Sequence, residues 1–97
     1  MFIILFIFSC NTNNEIENNQ IEISYPLDYL FNHDGINRSY TLYKPNNLKD
    51  DAPLIFVLHG YGSNSKNIMR YSQMNDIANR NGFAVCYPQG LINYYTS

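Results

Sequence analysis

Tryptophan is absent from this 97-residue chain, and cysteine and histidine occur only twice each. Each scarcity removes a class of explanation. Two cysteines, Cys10 and Cys86, cannot build a disulfide framework. A bridge between them is not expected, because Cys10 sits on a leader; Cys86 reads as a small buried hydrophobe. Two histidines, His33 and His59, without a cluster of carboxylates give no pattern for a metal site. The six Lys and Arg are scattered, the net charge is −2 and the pI is near 5.4, so nothing points to nucleic acid. The longest apolar run lies at the N-terminus and is far shorter than the roughly 20 residues needed to span a bilayer. Gly-x-Ser-x-Gly, the sharp turn that presents a serine nucleophile, occurs nowhere in these residues. No cofactor is expected.

What is present starts with Met1-Phe2-Ile3-Ile4-Leu5-Phe6-Ile7-Phe8-Ser9-Cys10, apolar until it switches to Asn11-Thr12-Asn13-Asn14-Glu15. The run has the length of a signal-peptide core, about 7–15 residues. A small residue followed by Cys resembles the processing box of bacterial lipoproteins. Residues 1–10 are therefore expected to be a leader, Cys10 to carry lipid, and the product to be exported, secreted or membrane-anchored. Residues 11–20 are polar and without period, a tether. Residues 21–97 form the folded part.

Ile21-Glu22-Ile23-Ser24 alternates weakly and is expected to be a short edge strand. Tyr29 to Asn32 and Ile36 to Tyr43 flank His33-Asp34-Gly35. Asp-Gly between two such runs signals a β-hairpin. In its second arm Tyr40, Leu42 and Arg38 fall on one face, and Ser39, Thr41 and Tyr43 on the other. His33 and Asp34 are neighbours, but turn chemistry explains Asp34-Gly35 without a catalytic dyad. Leu54-Ile55-Phe56-Val57-Leu58 is apolar throughout, as in a strand covered on both faces. Asn67 to Asn81 has helical spacing, with Ile68, Tyr71, Met74, Ile77 and Ala78 on one face, Ser65 or Asn67 as cap and Gly82 as terminator; a separate short helix at its first turn is the alternative. Phe83 to Tyr87 is a second buried strand, ended by Pro88-Gln89-Gly90. The order is a hairpin followed by one β-α-β unit with parallel strands. One run of helix cannot cover both faces of such a sheet, so one face is expected to lack its cover.

The first buried strand ends in His59-Gly60-Tyr61-Gly62. Backbone N–H groups in such a loop suit an oxyanion hole. A phosphate loop would need a third glycine where Ser65 stands and an acidic ribose partner. A plain tight turn is the third reading, and the residues alone leave all three open. His59 reads as holding the loop rather than as a base, because a triad base needs a nucleophile and an orienting carboxylate. Ser63 and Ser65 are loop or helix-cap hydroxyls.

Three segments together resemble a known family: Asn32 to Pro45 with its Arg38-Ser39-Tyr40, Pro53 to Ser63, and Gly82 to Gly90. They resemble the N-terminal third of secreted polyhydroxybutyrate depolymerase and feruloyl esterase-like proteins of the α/β-hydrolase superfamily. The likeness runs from about residue 28 to about residue 91, in order and with compatible spacing. It implies an α/β fold, here the N-terminal part of an α/β-hydrolase sheet and incomplete. It also implies a Ser-Asp-His carboxylic-ester hydrolase acting on polyesters, feruloylated or acetylated polysaccharides, or small acyl esters. By that analogy the Tyr61 backbone N–H is the oxyanion donor, with Gly60 and Gly62 shaping the loop and His59 supporting it. The nucleophile, acid and base of the family would all lie after Ser97. The chain is then expected to be an N-terminal fragment, inactive alone. The alternative is a catalytically dead homologue or a surface-tethered polysaccharide-binding module, although Tyr40, Tyr43 and Tyr87 fit strand positions as well as sugar stacking.

Overall fold

The computed structural model describes residues 23–92. The leader with Cys10, the tether, and residues 21, 22 and 93–97 lie outside the described residues. Four strands and two helices follow in the order β1 (Leu27–His33), β2 (Ile36–Tyr43), β3 (Leu54–Phe56), α1 (Ser65–Ser72), α2 (Met74–Asn81) and β4 (Ala84–Gln89). They form one sheet in the order β1-β2-β4-β3. Of the expected edge strand, Ile23 and Ser24 are described, and neither belongs to a strand.

The hairpin forms where the Asp-Gly signal puts it. Asp34 (φ 51°) and Gly35 (φ 79°) both take left-handed backbone, the pair of positive angles that a type I′ turn demands. Asn32 Oδ1 accepts from the Gly35 N–H at 3.1 Å and ties the turn to β1. The strands pair in antiparallel register from Leu27 opposite Leu42 to His33 opposite Ile36. His33 and Asp34 do approach, at 3.3 Å, but on the solvated tip of the hairpin.

β4 pairs with β2 antiparallel and with β3 parallel. Here the sequence reading needs two corrections, and both come from Pro88. Ala84 N–H donates to Pro53 O, and Cys86 O accepts from Val57 N–H, each at 2.9 Å. Alternate residues of β4 thus face β3, and Pro88 is next in that series. The next rung would need a Pro88 N–H for Val57 O, and proline has none. β3 therefore ends at Phe56 instead of running on to Leu58, although Val57 and Leu58 are apolar. On the opposite side β4 continues past Pro88, pairing through Gln89 with Ser39. Pro88 stops one ladder and spares the other.

The single expected helix is two. Gln73 adopts left-handed backbone (φ 52°, ψ 26°), ending α1, and α2 starts at Met74. Ser72 Oγ accepts from Met74 N–H at 3.3 Å, an alternative partner that eases the break. The break resets the helical phase. Tyr71, expected on the buried face, is 86% exposed, and Met69 packs inward in its place. Neither Ser65 nor Asn67 caps α1. Asn64 does, its side chain accepting from the Asn67 N–H at 2.9 Å. Gly82 ends α2 as expected, with its N–H on Ala78 O at 2.8 Å.

Both helices lie on one face of the sheet. Val85, Tyr87 and Ala78 are fully buried there, with Tyr43, Val57, Ile68, Met69, Met74 and Phe83 packed around them. Tyr87 Oη donates to Asn75 Oδ1 at 2.6 Å, which satisfies the one polar atom of the largest buried side chain. The other face is open: Phe31, Tyr40, Leu42, Leu54 and Phe56 line a groove of about 430 Å³ with Arg38, Cys86 and Pro88. Leu54 to Leu58 is thus not covered on both faces, and Phe56 is 62% exposed.

Candidate active-site loop

β3 and β4 are parallel, so the loops at their C-terminal ends lie side by side. That edge of an open α/β sheet is where ligands bind. The loop from His59 to Asn64 leaves β3, and Gly90 follows β4 directly.

His59 joins the two. Its Nε2 accepts from the Gly90 N–H at 2.8 Å. Nε2 therefore carries the lone pair, and Nδ1 carries the proton that it donates to Gly60 O at 2.8 Å. Both ring nitrogens are engaged by backbone, and no carboxylate is among the ring's hydrogen-bond partners. Gly90 sits close under the ring: a Cβ there would stand 3.1 Å from His59 Nε2 and 3.2 Å from Cε1, so the imidazole would have to give by a few tenths of an ångström.

Beyond His59 the chain turns tightly, and Ser63 N–H donates to Gly60 O at 3.2 Å. Gly62 takes φ 75°, a left-handed conformation that a residue with a Cβ adopts at a cost. A Cβ on Gly60 or Gly62 would meet nothing within 4 Å, so the loop borders open space. The Tyr61 side chain is 94% exposed. Ser65 is buried as the first residue of α1, and its backbone N–H donates to Gln89 Oε1 at 2.8 Å. Neither Ser63 nor Ser65 hydrogen-bonds His59 through its hydroxyl.

The expected site residues His59, Gly60, Tyr61 and Gly62 thus sit together at the C-terminal edge of the sheet. Cys10 lies outside the described residues. Sequence reasoning missed Gln89 and Asn64, which hold the loop's far end. Asn64 carried a usable signal, an Asn three residues before the N–H it caps. Gln89 carried only its place after Pro88 at a strand end. Cys86 is free and buried, and burial pushes its thiol above the usual range, as fits an unreactive core residue. Among the described residues no group of three or more His, Cys, Asp or Glu is placed to hold a metal ion.

A model of the esterase PHB depolymerase family matches residues 38–94, more than half of the chain. The chain belongs to that family. The match runs from Arg38 within β2 through the His59 loop and the whole of β4. No curated protein matches the chain. Among solved structures, native pOPH superposes with a TM-score of 0.55 at 20% identity, over 69% of this chain and 21% of pOPH. The S-formylglutathione hydrolase FrmB of Staphylococcus aureus gives 0.56 at 20% identity, over 75% of this chain and 35% of FrmB. The fluorophosphonate-binding serine hydrolase FphF of Staphylococcus aureus gives 0.55 at 21%, over 68% and 30%. At such identities the likeness concerns the fold, an α/β-hydrolase sheet of which this chain holds part. The chain spans between a fifth and about a third of the length of these proteins.

Proposed function

We propose that this chain is the N-terminal, oxyanion-binding part of an exported carboxylic-ester hydrolase of the polyester depolymerase or feruloyl and acetyl esterase type. The observation that carries the reading is the His59-Gly60-Tyr61-Gly62 loop, pinned by His59 beside Gly90 and bordering open space. Ester hydrolysis develops negative charge on the carbonyl oxygen of a tetrahedral intermediate. Backbone N–H groups fixed beforehand at that oxygen stabilise it, each by roughly 3–4 kcal/mol. Tyr61 supplies one N–H, Gly60 and Gly62 give the loop its shape, and His59 supports it. Because both ring nitrogens of His59 are bonded to backbone, its role is support and not proton transfer. The Ser, Asp and His that perform the attack come from sequence following residue 97, and the family's Gly-x-Ser-x-Gly turn would supply the second oxyanion donor. Export rests on the apolar run ending at Ser9-Cys10, with Cys10 as the lipid-bearing residue.

The test is turnover of a chromogenic short-chain acyl ester by two products. One is the 97-residue chain; the other is the reading frame extended through any downstream Gly-x-Ser-x-Gly. The extended product hydrolyses the ester and is blocked by a serine-directed inhibitor, and the short chain does neither. Inhibitor-sensitive turnover by the short chain overturns the division of labour. An extended product that turns over no ester overturns the esterase reading. Radiolabelled fatty acid incorporated by the parent and lost in Cys10→Ser checks the anchor separately.

A further inference from the structure

The two motifs of the sequence, His-Gly-x-Gly after β3 and Pro-Gln-Gly at the end of β4, are joined by His59 and also meet through a second side chain, Gln89. Gln89 Oε1 accepts from the Ser65 N–H at 2.8 Å. Its amide nitrogen donates to Gly90 O at 3.1 Å and touches His59 Nε2 at 3.5 Å. The His59 lone pair is already taken by Gly90 N–H, so that last approach is contact and not a second full bond. The segment 59–65 is therefore gripped at both ends by residues 89 and 90. His59 is the near grip and the Ser65 amide is the far one.

We infer that Gln89 is a positioning residue of the oxyanion loop, coupling the His59 end to the helix α1 end across a single carboxamide. The coupling needs an acceptor toward Ser65 and a donor toward the Gly90 carbonyl, which a carboxamide offers at once. Leucine offers neither. Glutamate keeps the acceptor and, when ionised, loses the donor. The bond from the Gln89 amide to Gly90 O closes a ring that contains the Gln89–Gly90 peptide; without it that peptide is freer to turn, and its N–H no longer points squarely at His59. The loop's own turn, Ser63 N–H to Gly60 O, then loosens although Gln89 does not touch it. The inference rests on the esterase reading only for the loop's purpose; the coupling itself is mechanical.

Amide hydrogen exchange on ¹⁵N-labelled chain tests it, with the His59 ring nitrogen shifts as a second signature. In Gln89→Leu, exchange at Ser63 and Gly90 speeds up at least tenfold together with Ser65. The His59 ring also shifts from the Nδ1-protonated tautomer toward a mixture. In Gln89→Glu, Ser65 stays protected while Gly90 and Ser63 speed up. Faster exchange at Ser65 alone, with His59 unchanged, means a local helix-start bond and overturns the coupling. The same two variants in the extended, ester-hydrolysing product give a second reading that does not depend on the short chain. There kcat falls at least tenfold with KM nearly constant, as for an interaction made in the transition state. Unchanged kcat in both variants overturns the inference. It leaves the esterase reading intact, since that stands or falls on turnover by the parent.

Discussion

The two faces of this sheet are made from the same strands and have opposite fates. On the helix-covered face Val85 and Tyr87 are wholly buried, and Ala78 of α2 closes over them. On the open face Phe56 is 62% exposed and Leu58, just past the end of β3, 70%. Both sets are equally apolar in sequence. The difference lies in what the connection between β3 and β4 can reach: a crossover passes over one face only, and both helices are spent there. An apolar face this continuous, carrying Phe31, Tyr40, Leu42, Leu54 and Phe56, is unusual for a protein surface and characteristic of one that is to be covered. Arg38 at its rim has a buried Nε with no hydrogen-bond partner among the described residues. That orphan belongs to the same unfinished face.

The sharpest way to break the comparison is to truncate one aromatic on each side. Tyr87→Ala on the covered face is expected to cost about 3–5 kcal/mol, the range for emptying a large aromatic site. Phe56→Ala is expected to cost less than about 1 kcal/mol, because most of its ring is already in water. Urea unfolding midpoints measure both. A loss at Phe56 approaching that at Tyr87 would show that the open face is buried in solution, and the contrast would collapse. Phe56→Lys should also lower the binding of an apolar fluorescent dye while leaving the midpoint nearly unchanged. A smaller cut, Tyr87→Phe, keeps the ring and strands Asn75 Oδ1 without its donor. The expected loss is about 1 kcal/mol, read from the same midpoints. No loss would mean that water replaces the hydroxyl and that the covered face is less closed than its packing indicates.

The same asymmetry decides what could be read from the sequence. The Asp34-Gly35 turn, the β3–β4 pairing and the uncovered face were all legible, because each rests on short-range chemistry or on a count of elements. The end of β3 was not. Val57 and Leu58 look like strand, and the residue that releases them, Pro88, lies thirty positions away. The break at Gln73 was hidden because Tyr71, Met74 and Ile77 keep helical spacing across it. Only the backbone shows the phase being reset, with Tyr71 turned to solvent. At the site, His59 and the two glycines announce themselves by composition. Gln89 does not, since a glutamine at a strand end has many uses until a helix start and a histidine are seen on either side of it.

The weakest expected effect falls at the edge of the covered face, where α1 meets the hairpin. Lys66 Nζ and Thr41 Oγ1 both donate to Asp28 Oδ1, each at 2.7 Å. The bond from Lys66, then that from Thr41, hold the Asp28 carboxyl below its ordinary range. A carboxyl depressed in the folded state binds its proton less readily there than in the unfolded chain. Its stabilisation is therefore fully present above the unfolded value, near about 4. It is lost as pH falls through the lower folded value. Asp28→Asn should flatten that acid limb and leave stability above about pH 5 reduced by less than about 1 kcal/mol, since Asp28 and Lys66 are both solvated and their attraction is screened. High salt should shrink even that difference. If the variant instead unfolds as readily as Tyr87→Ala, the hairpin is fastened to α1 by this contact more than by apolar packing. The covered face would then owe its order to its polar edge, and the contrast with the open face would rest on Lys66 as much as on Tyr87.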